Sequence, residues 1–167
     1  PKSPHELFEA RIQALGRCVG ELHAALSGST APAFAAERMT AADMEQQTTA
    51  IAQRLEQVCA TLQTQMAQWP ESLQALARRL RDSQARLVER AQRLAAGPID
   101  AMKIRHHGNL QLRKILLEED DFLVTDFDGD PSLPMAERRR KDSPLRDVAS
   151  LLCSLDNARA TALERAL

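Results

Sequence analysis

Ile104-Arg105-His106-His107-Gly108-Asn109-Leu110-Gln111-Leu112-Arg113-Lys114-Ile115-Leu116, continued by Leu117-Glu118-Glu119-Asp120-Asp121-Phe122-Leu123-Val124-Thr125-Asp126-Phe127-Asp128-Gly129-Asp130, is the stretch on which the fold turns. Short apolar runs alternate here with small turns and clustered functional groups, whereas the rest of the chain carries the longer period of helices. Lys103 to His106, Arg113 to Glu118 and Phe122 to Asp126 read as short strands, the last two joined by the polar turn Glu119-Asp120-Asp121. Chemistry, if the chain has any, belongs to this region.

Upstream, Ser3-Pro4-His5-Glu6 has the form of a capping box with proline at the first helical position. Phe8, Ile12, Leu15, Val19, Leu22 and Leu26 then recur at steps of four and three, one helical stripe that Ser27-Gly28 ends. Residues 27–39 read as a crossing loop. Thr40-Ala41-Ala42-Asp43 opens a second helix, whose stripe of Met44, Ile51, Leu55, Val58, Leu62 and Trp69 stops at Pro70. A third helix is expected from Glu71 to Ala96, with Leu73, Leu76, Leu80, Leu87 and Leu94 facing inward and Gly97-Pro98 closing it. Thr48 and Ser83 interrupt the stripes, which favours a local antiparallel hairpin over a coiled coil. The outward faces carry Arg78, Arg79 and Arg81 among interleaved acids, a solvated face rather than a basic groove.

Downstream, residues 127–142 form a long loop with the charge run Glu137-Arg138-Arg139-Arg140-Lys141. Ser143-Pro144 opens a last helix in which Leu145, Val148, Leu152 and Leu155 face one way. The coarse organisation is a helical part over 1–97, a loop and hairpin region over 98–142 and a helix over 143–167. No internal repeat is evident.

Composition narrows the function classes. The 167 residues hold 22 basic and 23 acidic side chains, so no net field recruits nucleic acid or an anionic membrane. No apolar run approaches the ~20 residues of a membrane span. Aromatic residues make up 3% and hydrophobic residues 44%, a core of leucine, alanine, isoleucine and valine that suits helices. Cys18, Cys59 and Cys153 lack paired or zinc-ligand spacing and read as reduced thiols of a cytoplasmic protein. The chain opens without methionine and closes inside a helical pattern, so a piece of a longer protein is expected.

Asp126-Phe127-Asp128-Gly129-Asp130-Pro131, then Leu133-Pro134-Met135-Ala136-Glu137-Arg138-Arg139, then Ser143-Pro144-Leu145-Arg146-Asp147-Val148-Ala149 resemble three blocks of the maltokinases, in the aminoglycoside-phosphotransferase-like kinase superfamily. These are the family's Asp-Phe-Glu-Gly-Glu-Pro block, its Pro-Leu-x-Glu-Arg-Arg run and its Ser-Pro-Leu-Arg-Asp-Val-Ala helix start. Leu15-Gly16 through His23 and Pro32 to Ala35 are similar to earlier parts of the same family. The resemblance implies a mainly α, protein-kinase-like C-lobe, with a long helical hairpin and a small β-hairpin carrying the catalytic-loop and metal-aspartate positions. It further implies Mg²⁺ and ATP as cofactors and transfer of the γ-phosphate to maltose. The partners it implies are a separate nucleotide-gripping N-lobe and, in many members, a fused trehalose synthase domain.

Kinase-fold enzymes carry an aspartate base in one loop and, five positions later, an amide that holds a metal ion. A hairpin then delivers a second metal-binding aspartate. By resemblance His107 and Asn109 lie in the catalytic loop, with Asn109 at the base position, while Lys114, Asp126 and Asp128 occupy metal positions. Glu137, Arg138, Arg139 and Arg146 are the substrate-binding candidates. The family's aspartate base has become Asn109, its metal-binding glutamine Lys114, the histidine after the loop Gln111 and a glycine Arg113. An amide cannot accept the sugar hydroxyl proton as a carboxylate does, and an ammonium has no lone pair for a cation. A degenerate kinase is therefore expected, with Lys114 paired to Asp126 in place of the metal.

Plainer readings stand beside these. The run from Glu137 to Arg140 binds phosphate or sugar, or is a solvated charge run. Arg146 and Asp147 orient the catalytic loop, or cap and charge their helix; a buried structural role is expected for Asp147. His106 and His107 divide into one that braces the loop and one exposed. Trp69 is expected to pack at a helix end. In the alternative from a different class, the chain is a non-catalytic helical scaffold attached to a carbohydrate-active enzyme.

Overall fold

The computed structural model describes residues 3–119 and 121–166; Pro1, Lys2 and Leu167, and Asp120 of the expected polar turn, lie outside the described residues. The elements in order are α1 (Pro4–Ser27), β1 (Glu37–Arg38), α2 (Ala41–Gln65), α3 (Glu71–Asp82), α4 (Gln84–Ala95), β2 (Met102–Lys103), β3 (Ile115–Glu118), β4 (Asp121–Val124), α5 (Met135–Arg138) and α6 (Leu145–Ala166). Single 3₁₀ turns cover Met66–Gln68 and Leu112–Lys114. The chain is mainly helical, with two small antiparallel sheets, and it divides into two compact units. One comprises Pro1–Arg38 with Ala101–Leu167, the other Met39–Asp100. Among the described residues no helix is long and apolar enough to cross a membrane.

In the first unit, the capping box at α1 forms as its sequence dictates: Ser3 Oγ accepts the Glu6 amide at 3.3 Å while Glu6 Oε2 accepts the Ser3 amide at 2.7 Å. Leu15 and Val19 of the α1 stripe join Leu110 and Leu151 in the core, with Ile115, Phe122, Val124, Val148 and Leu155 packed around them. Phe8, expected in the same stripe, is exposed and takes no part in this core.

On α6 the buried stripe is Val148, Leu151 and Leu155, whereas Leu145 and Leu152 are exposed. Steps of three and four starting from Val148 define that face. Starting from Leu145 rotates it away from the core.

The hairpin pairs Ile115 with Val124, Leu116 with Leu123, Leu117 with Phe122 and Glu118 with Asp121. Its strands are shorter than expected. Lys114 belongs to the 3₁₀ turn, and Asp126, at φ 67°, has left the extended region. A second pairing, Glu37 with Lys103 and Arg38 with Met102, joins β1 to β2, so the expected crossing loop contains a strand. After Lys103 one bridge between Ile104 and Asp142 ends the sheet. The expected strand to His106 stops because the amides of His107 and Gly108 bond to a side chain, not to a neighbouring strand.

In the second unit Thr40 and Asp43 form the expected capping box, and α2 packs along α4. The single helix expected from Glu71 to Ala96 is two helices broken at Ser83, whose hydroxyl donates to the Arg79 carbonyl at 2.8 Å. Leu73, Leu76, Leu80 and Leu94, expected to face inward, are exposed. α2 packs mainly along α4 and only lightly against α3, so the α3 leucines are left partly uncovered while Ala77 beside them is buried. With Leu62 and Trp69 they line an open apolar groove of about 400 Å³.

Candidate functional site

The loop after β2 is set by an anchor and a brace, one apolar and one charged. Leu110 is fully buried in the core, and the Leu112 amide donates to Ser154 Oγ on α6 at 3.1 Å. Asp147, in the first turn of α6, accepts the His107 amide on Oδ2 and the Gly108 amide on Oδ1, each at 2.8 Å. His23 Nε2 on α1 lies 3.0 Å from the same Oδ2. Gly108 takes φ 78°, a left-handed conformation that lets successive amides converge on one carboxylate. Burial pushes the Asp147 carboxyl up, but the His23 contact and the two amides outweigh it and hold it below the usual aspartate range. The expected buried role is thus filled, and the loop is what it supports.

His107 is buried and satisfied on both ring nitrogens. Nε2 lies 3.0 Å from the Thr125 carbonyl and Nδ1 accepts the Asn109 amide at 3.3 Å, so the partners specify the tautomer with its proton on Nε2. Its ring lies 5.1 Å from that of Phe127. With the lone pair engaged, His107 braces the loop and leaves no free base there. His106 is half-buried, in a cleft shared with Glu137 and Arg138, so neither histidine is the exposed one that was expected.

Asn109 turns its amide nitrogen to the Gly129 carbonyl at 3.4 Å and its oxygen to Gln111 Nε2 at 2.7 Å. Gln111 thus occupies the side-chain acceptor of Asn109. The hairpin places the second pair of groups. Thr125 donates both its amide, at 2.9 Å, and its hydroxyl, at 3.2 Å, to the Lys114 carbonyl, which sets Lys114 beside the residue that follows Thr125. Lys114 Nζ lies 2.8 Å from Asp126 Oδ2, with the lysine buried and the aspartate half-exposed. That hydrogen bond, against slight desolvation, holds the Asp126 carboxyl below its ordinary range. The pairing expected from the substituted lysine is formed.

These groups line a cavity of about 340 Å³ bounded by Asn109, Arg113, Lys114, Asp126, Asp128 and Arg138. A divalent cation does not fit this donor set. Lys114 Nζ sits on the Asp126 carboxylate, and no cluster of three or more His, Cys, Asp or Glu side chains suited to a metal exists among the described residues.

Arg138 reaches the cavity from α5, where Gly129, at φ 76°, leaves room for its stem; a Cβ on Gly129 would meet Arg138 Cβ at 3.3 Å. The other substrate-binding candidates lie apart from this cavity. Arg146 pairs with Asp142 Oδ2 at 2.6 Å, Glu137 faces a small neighbouring cleft, and Arg139 offers its carbonyl to Arg105. Arg113 and Thr125 line the cavity, and His23 and Asp142 pair with Asp147 and Arg146, without having been sequence candidates. For His23 no local signal exists, since its partner lies 124 positions away.

A loop braced by a buried aspartate on the following helix, facing a hairpin that ends in Asp-Phe-Asp-Gly, is the arrangement of a kinase-like phosphotransferase. Among the similar proteins are glucosamine kinases. That of Mycolicibacterium smegmatis (strain ATCC 700084 / mc(2)155) is 36% identical over 145 residues, covering 86% of this chain and 32% of the relative. That of Streptacidiphilus jiangxiensis is 31% identical over 144 residues, 86% of this chain and 29% of the relative. Solved structures of glucosamine kinase, one in complex with glucosamine, ADP and inorganic phosphate, match with a TM-score of 0.76 at 26% identity, covering 95% of this chain and 34–35% of theirs. The chain spans about a third of the length of the curated relatives it matches, at 32% and 29%. No protein-family model matches it.

Proposed function

We propose that this chain is a segment of a cytoplasmic sugar kinase whose phosphoryl-transfer site has been disabled. The observation that supports the reading is the Lys114–Asp126 ion pair at 2.8 Å, formed by two residues that the motif resemblance assigns to metal positions. Asn109 supports it, because an amide already bonded to Gln111 and Gly129 cannot take a proton from a sugar hydroxyl. Loss of a base alone removes about 100- to 10,000-fold of rate. In this reading ATP and Mg²⁺ are cofactors of the family and not of this site. The same reading makes a separate nucleotide-gripping lobe the partner of this segment.

The sugar is glucosamine by the relatives' names and maltose by the motif blocks from Asp126 to Ala149, the latter with a fused trehalose synthase domain. Phosphoryl transfer from Mg-ATP to each sugar by the full-length protein, beside the variant Asn109→Asp with Lys114→Gln, tests both points. Product from the double variant alone supports a silenced kinase and identifies its sugar; product from the unaltered protein refutes the reading. A second reading, a non-catalytic scaffold, draws on the exposed leucines of α3. It requires that the double variant stay inactive on both sugars.

A further inference from the structure

We infer that the cavity between the loop and the hairpin binds a phosphate-bearing anion without a divalent cation, with Lys114 as the resident cation and Arg113 and Arg138 as the anion's partners. The inference rests on the disabled-kinase reading and asks what the altered site still does.

Three bases, Arg113, Lys114 and Arg138, line the cavity against two acids, Asp126 and Asp128, which leaves one net positive charge. Lys114 and Asp126 neutralise each other at 2.8 Å, so the repulsion that a bare metal-binding aspartate would exert on an incoming phosphate is already cancelled. In a metal-dependent site the cation does that work; here a side chain does it permanently.

The two guanidinium groups are under-used. Arg138 makes one long hydrogen bond, 3.3 Å from its terminal nitrogen to the Asp128 carbonyl, and it has no carboxylate partner among the described residues. Arg113 makes no hydrogen bond or ion pair within the described residues, and its charge is among those that lower the Asp126 carboxyl. Asp130 feels the charges of Lys114 and Arg138, but its Oδ1 is taken by the amide and the hydroxyl of Ser132 at 2.9 and 2.8 Å. Arginine forks match the oxygens of phosphate, and about 340 Å³ lies within the ~300–1,000 Å³ of ordinary small-ligand sites. Arg113 stands where the family has glycine, so both substitutions, at 113 and at 114, move the site from metal toward fixed positive charge.

Calorimetric titration of the full-length protein with inorganic phosphate and with ADP, each in EDTA and in excess Mg²⁺, tests this. The expected result is binding of at least one anion with affinities that agree within about twofold in the two buffers, and no heat from Mg²⁺ alone. Removing a charged donor weakens binding by about 10- to 100-fold. Arg113→Ala, at an exposed position, and Arg138→Ala are both expected to do so, while Lys114→Gln makes binding depend on Mg²⁺. ADP without inorganic phosphate assigns the site to a nucleotide's phosphates, and both together to phosphate in general.

Binding that strengthens tenfold or more in Mg²⁺ in the unaltered protein overturns the inference, as does no binding of either anion, or binding that Arg113→Ala and Arg138→Ala leave unchanged. None of these outcomes is phosphoryl transfer. A protein inactive on both sugars yet Mg²⁺-dependent in binding sinks this inference alone, whereas an active one sinks the reading beneath it.

Discussion

His23 Nε2 and Asp147 Oδ2 meet at 3.0 Å across 124 positions of sequence, and the same carboxylate holds the amides of His107 and Gly108. One buried side chain therefore ties α1, α6 and the loop together. Asp147→Asn keeps the shape but turns an NH₂ group toward a donor. The expected loss is about 1.5–3 kcal/mol, the worth of a hydrogen bond to a charged group. Urea denaturation measures it, and a variant as stable as the parent would show that the brace is not coupled to folding.

The same carboxylate has an acid-limb signature. Its folded value is held below the ordinary range, so the stability it contributes is present above about 4 and is lost as pH falls through the lower folded value. Unfolding midpoints compared at pH 3 and pH 7 should fall less for Asp147→Asn than for the unaltered protein. An equal fall in both would assign the acid limb to other carboxylates.

His106 acts in a different window. Burial lowers its value, opposed by the charges of Asp147 and Asp142 and aided by Arg146. The unfolded chain binds its proton first, so stability is complete above about 6.5 and declines as pH drops below it, by at most about 1.4 kcal/mol per pH unit. His106→Gln is expected to flatten the stability profile between pH 7 and pH 5, and a slope unchanged by the substitution would place the proton elsewhere.

The pair of Lys114 and Asp126 is asymmetric, because the lysine is buried and the aspartate half-exposed. Removing the aspartate leaves a buried ammonium without its counter-charge, whereas removing the ammonium leaves a carboxylate that water can solvate. Asp126→Asn is therefore expected to destabilise more than Lys114→Met. Guanidinium unfolding of the two single variants reads the order directly; the reverse order would mean that Lys114 contributes through its stem and not its charge.

Gly129 holds φ 76° with Arg138 pressed against the place where a Cβ would stand, at 3.3 Å. Gly129→Ala is expected to cost about 1–2 kcal/mol from the left-handed backbone alone, plus the contact. Adding Arg138→Ala removes the Cγ and Cδ contacts at 3.4 and 3.5 Å but keeps the Cβ, so it should recover only part of the contact and leave the backbone cost. Melting temperatures of both single variants and the double variant give the coupling, and strictly additive losses would mean that the side chains do not touch in solution.

Where reading succeeded, the interactions were local. The capping boxes at Ser3 and Thr40 span three residues, and the hairpin brings Lys114 to Asp126 through a register that begins a few residues away. Where it missed, the partner was remote or the question was coverage. Nothing near His23 announces Asp147, and β1 is too short to stand out from the loop around it. Helical spacing identified the α3 leucines as one face, but spacing carries no information on whether another element lies against that face.

By itself, then, the order of amino acids determined the helix starts at Ser3 and Thr40 and the hairpin, because capping and pairing register are properties of near neighbours. Only the tertiary structure decided which stripe of α6 is buried, that Asp147 holds the loop by its amides, and that Arg113 and Arg138 flank the Lys114–Asp126 pair around one cavity. Those facts depend on segments far apart in the chain converging. Burial and charge balance are set by what converges.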